Sequence, residues 1–372
     1  MSADEFKAWF SLVYTPGLSR QAARGLLQAF GSPDAVLGAS QSQWAAVAGR
    51  EAAQALATPD PAALQRLEHA QAWLARQRAR QVVTLGDPCY PDALLHCGDP
   101  PLMFFLEGRA EFLQRPAVAV VGSRQATVQG LADARQFARV LSQAGVTVVS
   151  GLAAGIDGAA HEGALGGPGS TVAVVGTGLD IVYPRRHATL MSRIVEAGAV
   201  VSEYAPGTPV LAHHFPHRNR LIAGLTRGTL VVEATLKSGS LITARLASEC
   251  GREVFAIPGS IHSAQSSGCH ALIRQGAMLV ESAQEVLQAL NLGDTTRPRQ
   301  PSAAPEPPAE GQLTPLQAQL LQALGYAPTT LDELSARTGW PAPELSARLL
   351  DLELQGRLAR LPGGLFQRQQ AS

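Results

Sequence analysis

From about residue 116 onward the chain alternates short runs of β-branched and other apolar residues with longer stretches of helical periodicity. The apolar runs fall at 118–121, 146–149, 172–175, 199–201, 230–232, 254–257 and 277–280. Within each run, Thr147 excepted, consecutive positions are apolar, so both faces of the strand would be covered. Strands of that kind, separated by helices, predict a parallel sheet flanked on two sides. Residues 81–290 are therefore expected to form an extended Rossmann-like α/β core, with a short strand at 82–85 and an extended run at 100–106 as its lead-in.

The pattern differs on either side of that core. Residues 1–80 are rich in Ala, Gln, Leu and Arg, punctuated at Pro16-Gly17 and Gly31-Ser32-Pro33, which predicts a domain of short helices joined by tight turns. It reads as a SAM-like or helix-hairpin-helix-like unit, in which the Pro16-Gly17-Leu18 turn either offers N–H groups to phosphate or only packs helices. Residues 291–312 carry Pro298, Pro301, Pro305, Pro307 and Pro308 with few large apolar side chains, the composition of an extended linker. Beyond it, 313–372 predicts three helices (316–324, 331–337 and 344–355) and a two-strand wing (358–361 and 365–366, turning at Pro362-Gly363-Gly364), the order of a winged helix. Its third helix bears Glu344, Asp351 and Glu353 against Arg348, with Arg357 just beyond, a poor surface for approaching phosphates; a protein contact is favoured over reading of a duplex operator.

Composition narrows the class. The 372 residues are 46% hydrophobic, enough for a sizeable core, and Lys+Arg and Asp+Glu both total 30, so no global field draws the chain to nucleic acid or lipid. Any such binding must come from local charge. Cys89, Cys97, Cys250 and Cys269 lack metal-ligand or disulfide spacing, and a reducing cytoplasm is expected. The first ten residues, with Asp4 and Glu5, do not read as a signal peptide, and no apolar run reaches the length of a membrane span. Lys7 and Lys237 are the only lysines, which singles out Lys237.

In a parallel sheet, ligands lie beyond the carboxyl ends of the strands. Three turns there are rich in Gly and Ser: Gly122-Ser123-Arg124, Ser150-Gly151 through Asp157, and Lys237-Ser238-Gly239-Ser240. Each feeds a helix, so backbone N–H groups and the helix dipole suit phosphate, with Arg124 and Lys237 adding full charge. The G-x-G-x-x-G fingerprint is missing after the first strand, Ser150 stands where an acid would hold a ribose, and Lys237-Ser238 lacks the upstream glycine of a Walker loop. No cofactor is expected. Residues 185–245 are formally +5 in a neutral protein, and Phe215 stands beside Arg218-Asn219-Arg220, the mixture that stacks a base while holding its backbone. That breadth suits single-stranded nucleic acid better than one nucleotide.

Asp157 and His161, at i and i+4, with Glu162 alongside, are the best catalytic candidates, but no second His lies at ligand spacing and a structural hydrogen-bonding role is favoured. The competing class is an enzyme, a nucleoside monophosphate phosphoribohydrolase-like protein with Glu233 or Asp157 as its acid.

The chain closely resembles the DprA/Smf DNA-processing family. The residues that carry the resemblance run in order from Tyr90-Pro91 and Pro100-Pro101-Leu102 through Val120-Val121-Gly122-Ser123-Arg124 and Ser150-Gly151-x-Ala153-x-Gly155-Ile156-Asp157-x-x-Ala160-His161. They continue with Gly178-x-Asp180-x-x-Tyr183-Pro184, Phe215-x-x-Arg218-Asn219-Arg220, Ser238-Gly239-Ser240-x-x-Thr243-Ala244 and Pro258-Gly259. The resemblance implies a non-enzymatic, cytoplasmic, homodimeric protein that binds single-stranded DNA and protects strands taken up in natural transformation. It also implies that the protein helps load a RecA-type recombinase for homologous recombination. By the same resemblance Gly122, Ser123, Arg124, one of Arg185 and Arg186, Phe215, Arg218, Asn219, Arg220, Lys237, Ser238 and Gly239 would line the DNA pocket, with dimer and recombinase contacts toward the late part of the core. Gly151 and Ser240 join them from the phosphate-type turns.

Overall fold

Serine caps set the starts of the first four helices. In the computed structural model, which describes residues 1–77, 79–292, 314–325, 329–361 and 364–368, the helices α1 (Ala3–Val13), α2 (Arg20–Phe30), α3 (Pro33–Gly38) and α4 (Gln41–Ala57) each follow a serine. The hydroxyls of Ser2, Ser19, Ser32 and Ser40 accept from the backbone N–H three residues on, meeting donors that a helix start leaves free. With α5 (Ala63–Ala75) these helices bury Trp9, Phe10, Leu26, Trp44 and Trp73 in a cluster continuous with Met103, Phe105 and Val200 of the sheet. The helical unit is thus packed on the core through a shared apolar interior.

The core runs β1 (Arg80–Thr84), α6 (Asp92–Leu95), β2 (Met103–Gly108), β3 (Ala117–Val121), α7 (Val128–Gln143), β4 (Thr147–Ser150), α8 (Ile156–Ala164), β5 (Thr171–Val174), α9 (Ala188–Ala197), β6 (Ala199–Ser202), α10 (His214–Gly224), β7 (Gly228–Val231), α11 (Ser240–Glu249), β8 (Glu253–Ala256), α12 (Ser267–Arg274), β9 (Met278–Leu279) and α13 (Ala283–Ala289). The sheet order is β1-β2-β6-β5-β4-β3-β7-β8-β9. From β6 to β9 every pairing is parallel, and every residue of β3, β4, β5, β6 and β7 is buried, as runs without alternation predict. The lead-in turns out to be part of the sheet: β2 pairs antiparallel with both β1 and β6, and its Phe104 and Phe105 are fully buried.

From β3 the chain steps outward through β4, β5 and β6, then returns to lay β7 on the other side of β3. That reversal opens a crevice beyond the carboxyl ends of β3 and β7. The C-terminal part comprises α14 (Pro315–Leu324), β10 (Thr329–Thr330), α15 (Leu331–Thr338), α16 (Ala342–Leu354), β11 (Leu358–Leu361) and β12 (Leu365–Arg368), with a small sheet ordered β10-β12-β11 around buried Leu334, Leu345, Leu349 and Phe366. This is the expected winged helix. The linker prolines and the wing residues Pro362 and Gly363 lie outside the described residues.

Candidate nucleic-acid interface

Backbone bonds lace the first two Gly/Ser turns to each other and to the end of β7. Ser123 N–H donates to the Glu233 carbonyl beyond β7 (2.7 Å), and Ile156 N–H at the start of α8 donates to the Ser123 carbonyl (3.1 Å). Gly122 has no room for a side chain: a Cβ there would stand 2.7 Å from Ile156 Cγ1 and 2.8 Å from the Glu233 carbonyl. The turns therefore approach more closely than side chains would permit.

They surround a cleft of about 820 Å³. Gly122, Ser123 and Arg124 line one wall, Lys237, Ser238, Gly239 and Ser240 another, and Phe215, Arg218 and Asn219 of α10 a third. The Arg124 guanidinium lies 5.4 Å from the centre of the Phe215 ring, within cation–π reach, and the Tyr183 ring sits 5.5 Å from Phe215 at 44°. Tyr183 is 44% exposed. A half-buried aromatic pair with Arg124 over it, in a cleft that Lys237 also lines, offers an apolar face to a planar group and positive charge to an anion.

The remaining expected site residues behave otherwise. Arg218 is 4% exposed, and its Nη1 donates to the carbonyls of Gly151 (2.7 Å) and Val174, so it tethers α10 to the ends of β4 and β5 while its guanidinium floors the cleft. Burial lowers its pKa to about 10, with Asp157 opposing, and it stays charged at neutral pH. Gly151 does not line the cleft; a Cβ there would collide with Arg218 Nη1 at 2.5 Å, so its role is to admit the tether. Arg185 and Arg186 are exposed on the 3-10 turn Arg185–His187, next to Tyr183 but outside the lining.

Arg220 departs from the expectation entirely. It points away from the cleft, and its Nη2 donates to both Glu203 carboxylate oxygens at 2.5 Å. Five residues separate it from Phe215, about half a turn around a helix, so the two cannot share a wall. Tyr183, Gln125, Thr235 and Gln265 line the cleft without having been singled out. Tyr183 stands in the Tyr-Pro motif and Gln125 follows Arg124, so both had a signal; Gln265 arrives from the 3-10 turn Ala264–Ser266 with none.

The catalytic candidates are committed to structure. His161 is fully buried: Leu152 N–H donates to Nε2 (3.2 Å), and Nδ1 bonds the Thr171 hydroxyl (2.7 Å), which itself donates to the Val148 carbonyl (2.6 Å). That chain fixes a neutral ring with its proton on Nδ1, and burial pulls its pKa down to about 3. Asp157 accepts from Gly151 N–H (3.1 Å); burial raises its pKa, with Arg218 and the Ala153 and Gly151 amides opposing. Glu233 is spent on the N-cap of α7, accepting from Thr127 N–H (2.9 Å) and Thr127 Oγ1 (2.5 Å), while burial raises its pKa. Among the described residues no group of three His, Cys, Asp or Glu side chains could hold a metal, and no helix is long and apolar enough to cross a membrane.

Fold and cleft together define a doubly wound α/β protein with a crevice at its switch point lined by Arg124, Lys237 and aromatic side chains, and a winged helix appended. The family model for DNA recombination-mediator protein A matches residues 81–291, and that for the DprA winged helix domain matches 304–364. The chain belongs to the DprA/Smf family of DNA-processing proteins. It is 43% identical over 306 residues to Protein Smf of Escherichia coli, covering 82% of each chain. The X-ray structure of DNA processing protein A from Streptococcus pneumoniae is 40% identical with a TM-score of 0.63, covering 74% of this chain and 95% of that one. A structure of DNA processing protein A from Helicobacter pylori, described for its single-stranded DNA binding mode, is 29% identical with a TM-score of 0.52, covering 57% of this chain and 95% of that one.

Proposed function

We propose that this protein binds single-stranded DNA in the switch-point cleft, without catalysis. Gly122, Ser123, Arg124, Lys237, Ser238, Gly239 and Ser240 hold the phosphates, and Phe215 with Tyr183 stacks a base. The observation that carries this reading is the placement of Arg124 over Phe215 in a cleft that Lys237 also lines. The single-strand binding of the Helicobacter pylori relative supports it. Arg185 and Arg186, exposed beside Tyr183, would follow the backbone as it leaves the cleft. Against the nucleotide-hydrolase reading, Glu233 is not among the cleft-lining residues and both of its oxygens are held by Thr127, while Asp157, which does line the cleft, holds the Gly151 N–H.

In this proposal the protein works in the cytoplasm as a homodimer that protects incoming strands and passes them to a RecA-type recombinase during transformation. The helical unit (1–80), core (81–290), linker (291–312) and winged helix (313–372) are its parts. The far edge of the sheet supports self-association: Met278 and Leu279 of the two-residue β9 are each 44% exposed, and nearby Leu236 is 64% exposed.

The test is anisotropy of a labelled poly-dT oligonucleotide and of its duplex, at two salt concentrations. The single strand is expected to bind more tightly, with a log–log salt slope of about −0.7 per phosphate neutralised. Arg124→Ala and Lys237→Ala should each weaken binding and flatten that slope, and Phe215→Ala should cost about 1–3 kcal/mol. Equal affinity for duplex, or unchanged affinity in folded Arg124→Ala and Lys237→Ala, would overturn the proposal.

A further inference from the structure

α10 is used on both of its faces. At helical spacing Phe215, Asn219 and Ile222 lie on one side, lining the cleft, while His217 and Arg220 lie on the other. That second side meets the N-terminal helical unit. Arg20, the first residue of α2, places Nη2 2.6 Å from His217 Nε2, Nη1 3.4 Å from Glu203 Oε1, and Nε 2.8 Å from Asp99 Oδ2. Arg220 holds Glu203 from α10 itself and stands 3.6 Å from Asp99. Arg20 donates to His217 only while the imidazole is neutral, and burial, Arg20 and Arg220 all push its pKa down against Glu203 and Asp99. The Glu203 and Arg220 side chains are 8% and 12% exposed, so water does little to screen that pair, while Arg20, His217 and Asp99 around it are partly open to solvent.

We infer that Arg20 is a positioning residue for the strand cleft: the N-terminal helical unit sets the rotation of α10 through Arg20, and thereby the angle at which Phe215 and Asn219 meet the strand. The tether from Arg218 to Gly151 pins α10 at the cleft side, and the Arg20 cluster pins it from behind, so the helix is clamped at two opposed points. This rests on the cleft being the single-strand site. It gives the N-terminal unit a part in binding without any contact to DNA.

The experiment measures poly-dT affinity and its salt slope for Arg20→Ala, Arg20→Lys and Asp99→Asn, each also in a Phe215→Ala background, with urea melts to establish folding. Arg20→Ala is expected to weaken binding about tenfold in the otherwise native protein and about twofold or less beside Phe215→Ala, because the two act through one helix. The salt slope should not move, since Arg20 neutralises no phosphate. Arg20→Lys should recover part of the loss. Should Arg20→Ala fail to fold, the half-exposed Asp99→Asn carries the same test, with a smaller loss and the same dependence on Phe215. Unchanged affinity in a folded variant, equal losses in both backgrounds, or a flattened salt slope would each overturn the inference. If Phe215→Ala and Lys237→Ala themselves have no effect, the cleft reading falls and takes this one with it; if they weaken binding and Arg20→Ala does not, only the positioning role falls.

Discussion

His161 shows how a single residue ties stability to pH. Its ring is neutral in the fold, with a pKa near 3 against an ordinary 6.5. Between those values the unfolded chain takes up a proton that the folded chain refuses, so stability falls as pH drops through that window. From pH 7 to pH 5 this one group should cost about 2 kcal/mol. Urea midpoints of the native protein and of His161→Gln at both values check it: the gap between the two should shrink by that amount at pH 5, and a constant gap would refute the assignment. At this scale the sequence was informative where chemistry is local. As residues that line the cleft, Arg124 and Lys237 were legible because each stands in a turn that follows a strand, and Phe215, on α10, because it stands beside Arg218-Asn219-Arg220. Arg220 was not, because its partners Glu203 and Asp99 come from distant parts of the chain and a pairing between them leaves no mark in the spacing. Nor could spacing tell that Arg218 reaches two carbonyls rather than a phosphate.

At the scale of elements, the geometry of the cleft depends on how tightly one turn seats another. Gly155, at the start of α8, has φ +79°, and a Cβ there would collide with the Ser123 carbonyl. Gly145, before β4, has nearly the same φ (+80°) with nothing within 4 Å of a Cβ. Gly145→Ala should therefore cost only the backbone strain, about 1–2 kcal/mol, with strand affinity intact. Gly155→Ala should cost more and also weaken poly-dT binding, by displacing the Ser123-Arg124 turn. Chemical denaturation with oligonucleotide titration of the pair separates the two effects; equal behaviour would mean that the turn tolerates displacement. Strand positions were readable from the apolar runs, and the N-terminal helices from the turns at Pro16-Gly17 and Gly31-Ser32-Pro33. Unreadable was the partner of each strand: nothing in 103–108 announces an antiparallel pairing with β6, which follows only from the buried surface that Phe104 and Phe105 find there.

For the molecule as a whole, formal charge cancels, so under the proposed function attraction of a strand would rest on charge gathered at one crevice. The sheet closes one side with the antiparallel β1–β2 pair and leaves the two-residue β9 at the other. If the proposed homodimer forms there, Leu279→Asp should halve the mass seen by light scattering, whereas retention of the doubled mass would move the interface elsewhere. In the sequence a proline-rich stretch separates two kinds of hydrophobic pattern; the packing of the helical unit on the sheet leaves no such mark, because the cluster joining Trp73 to Phe105 is made of residues that any helix or strand core would hold. The two-faced use of α10 also bears on how mutational data for this chain should be interpreted. If the proposed strand site and the clamp on α10 hold, an alanine scan scored by strand capture would flag His217 and Arg220 alongside Phe215 and Asn219, and a map drawn from those scores would place the nucleotide on both sides of a helix that it touches on only one.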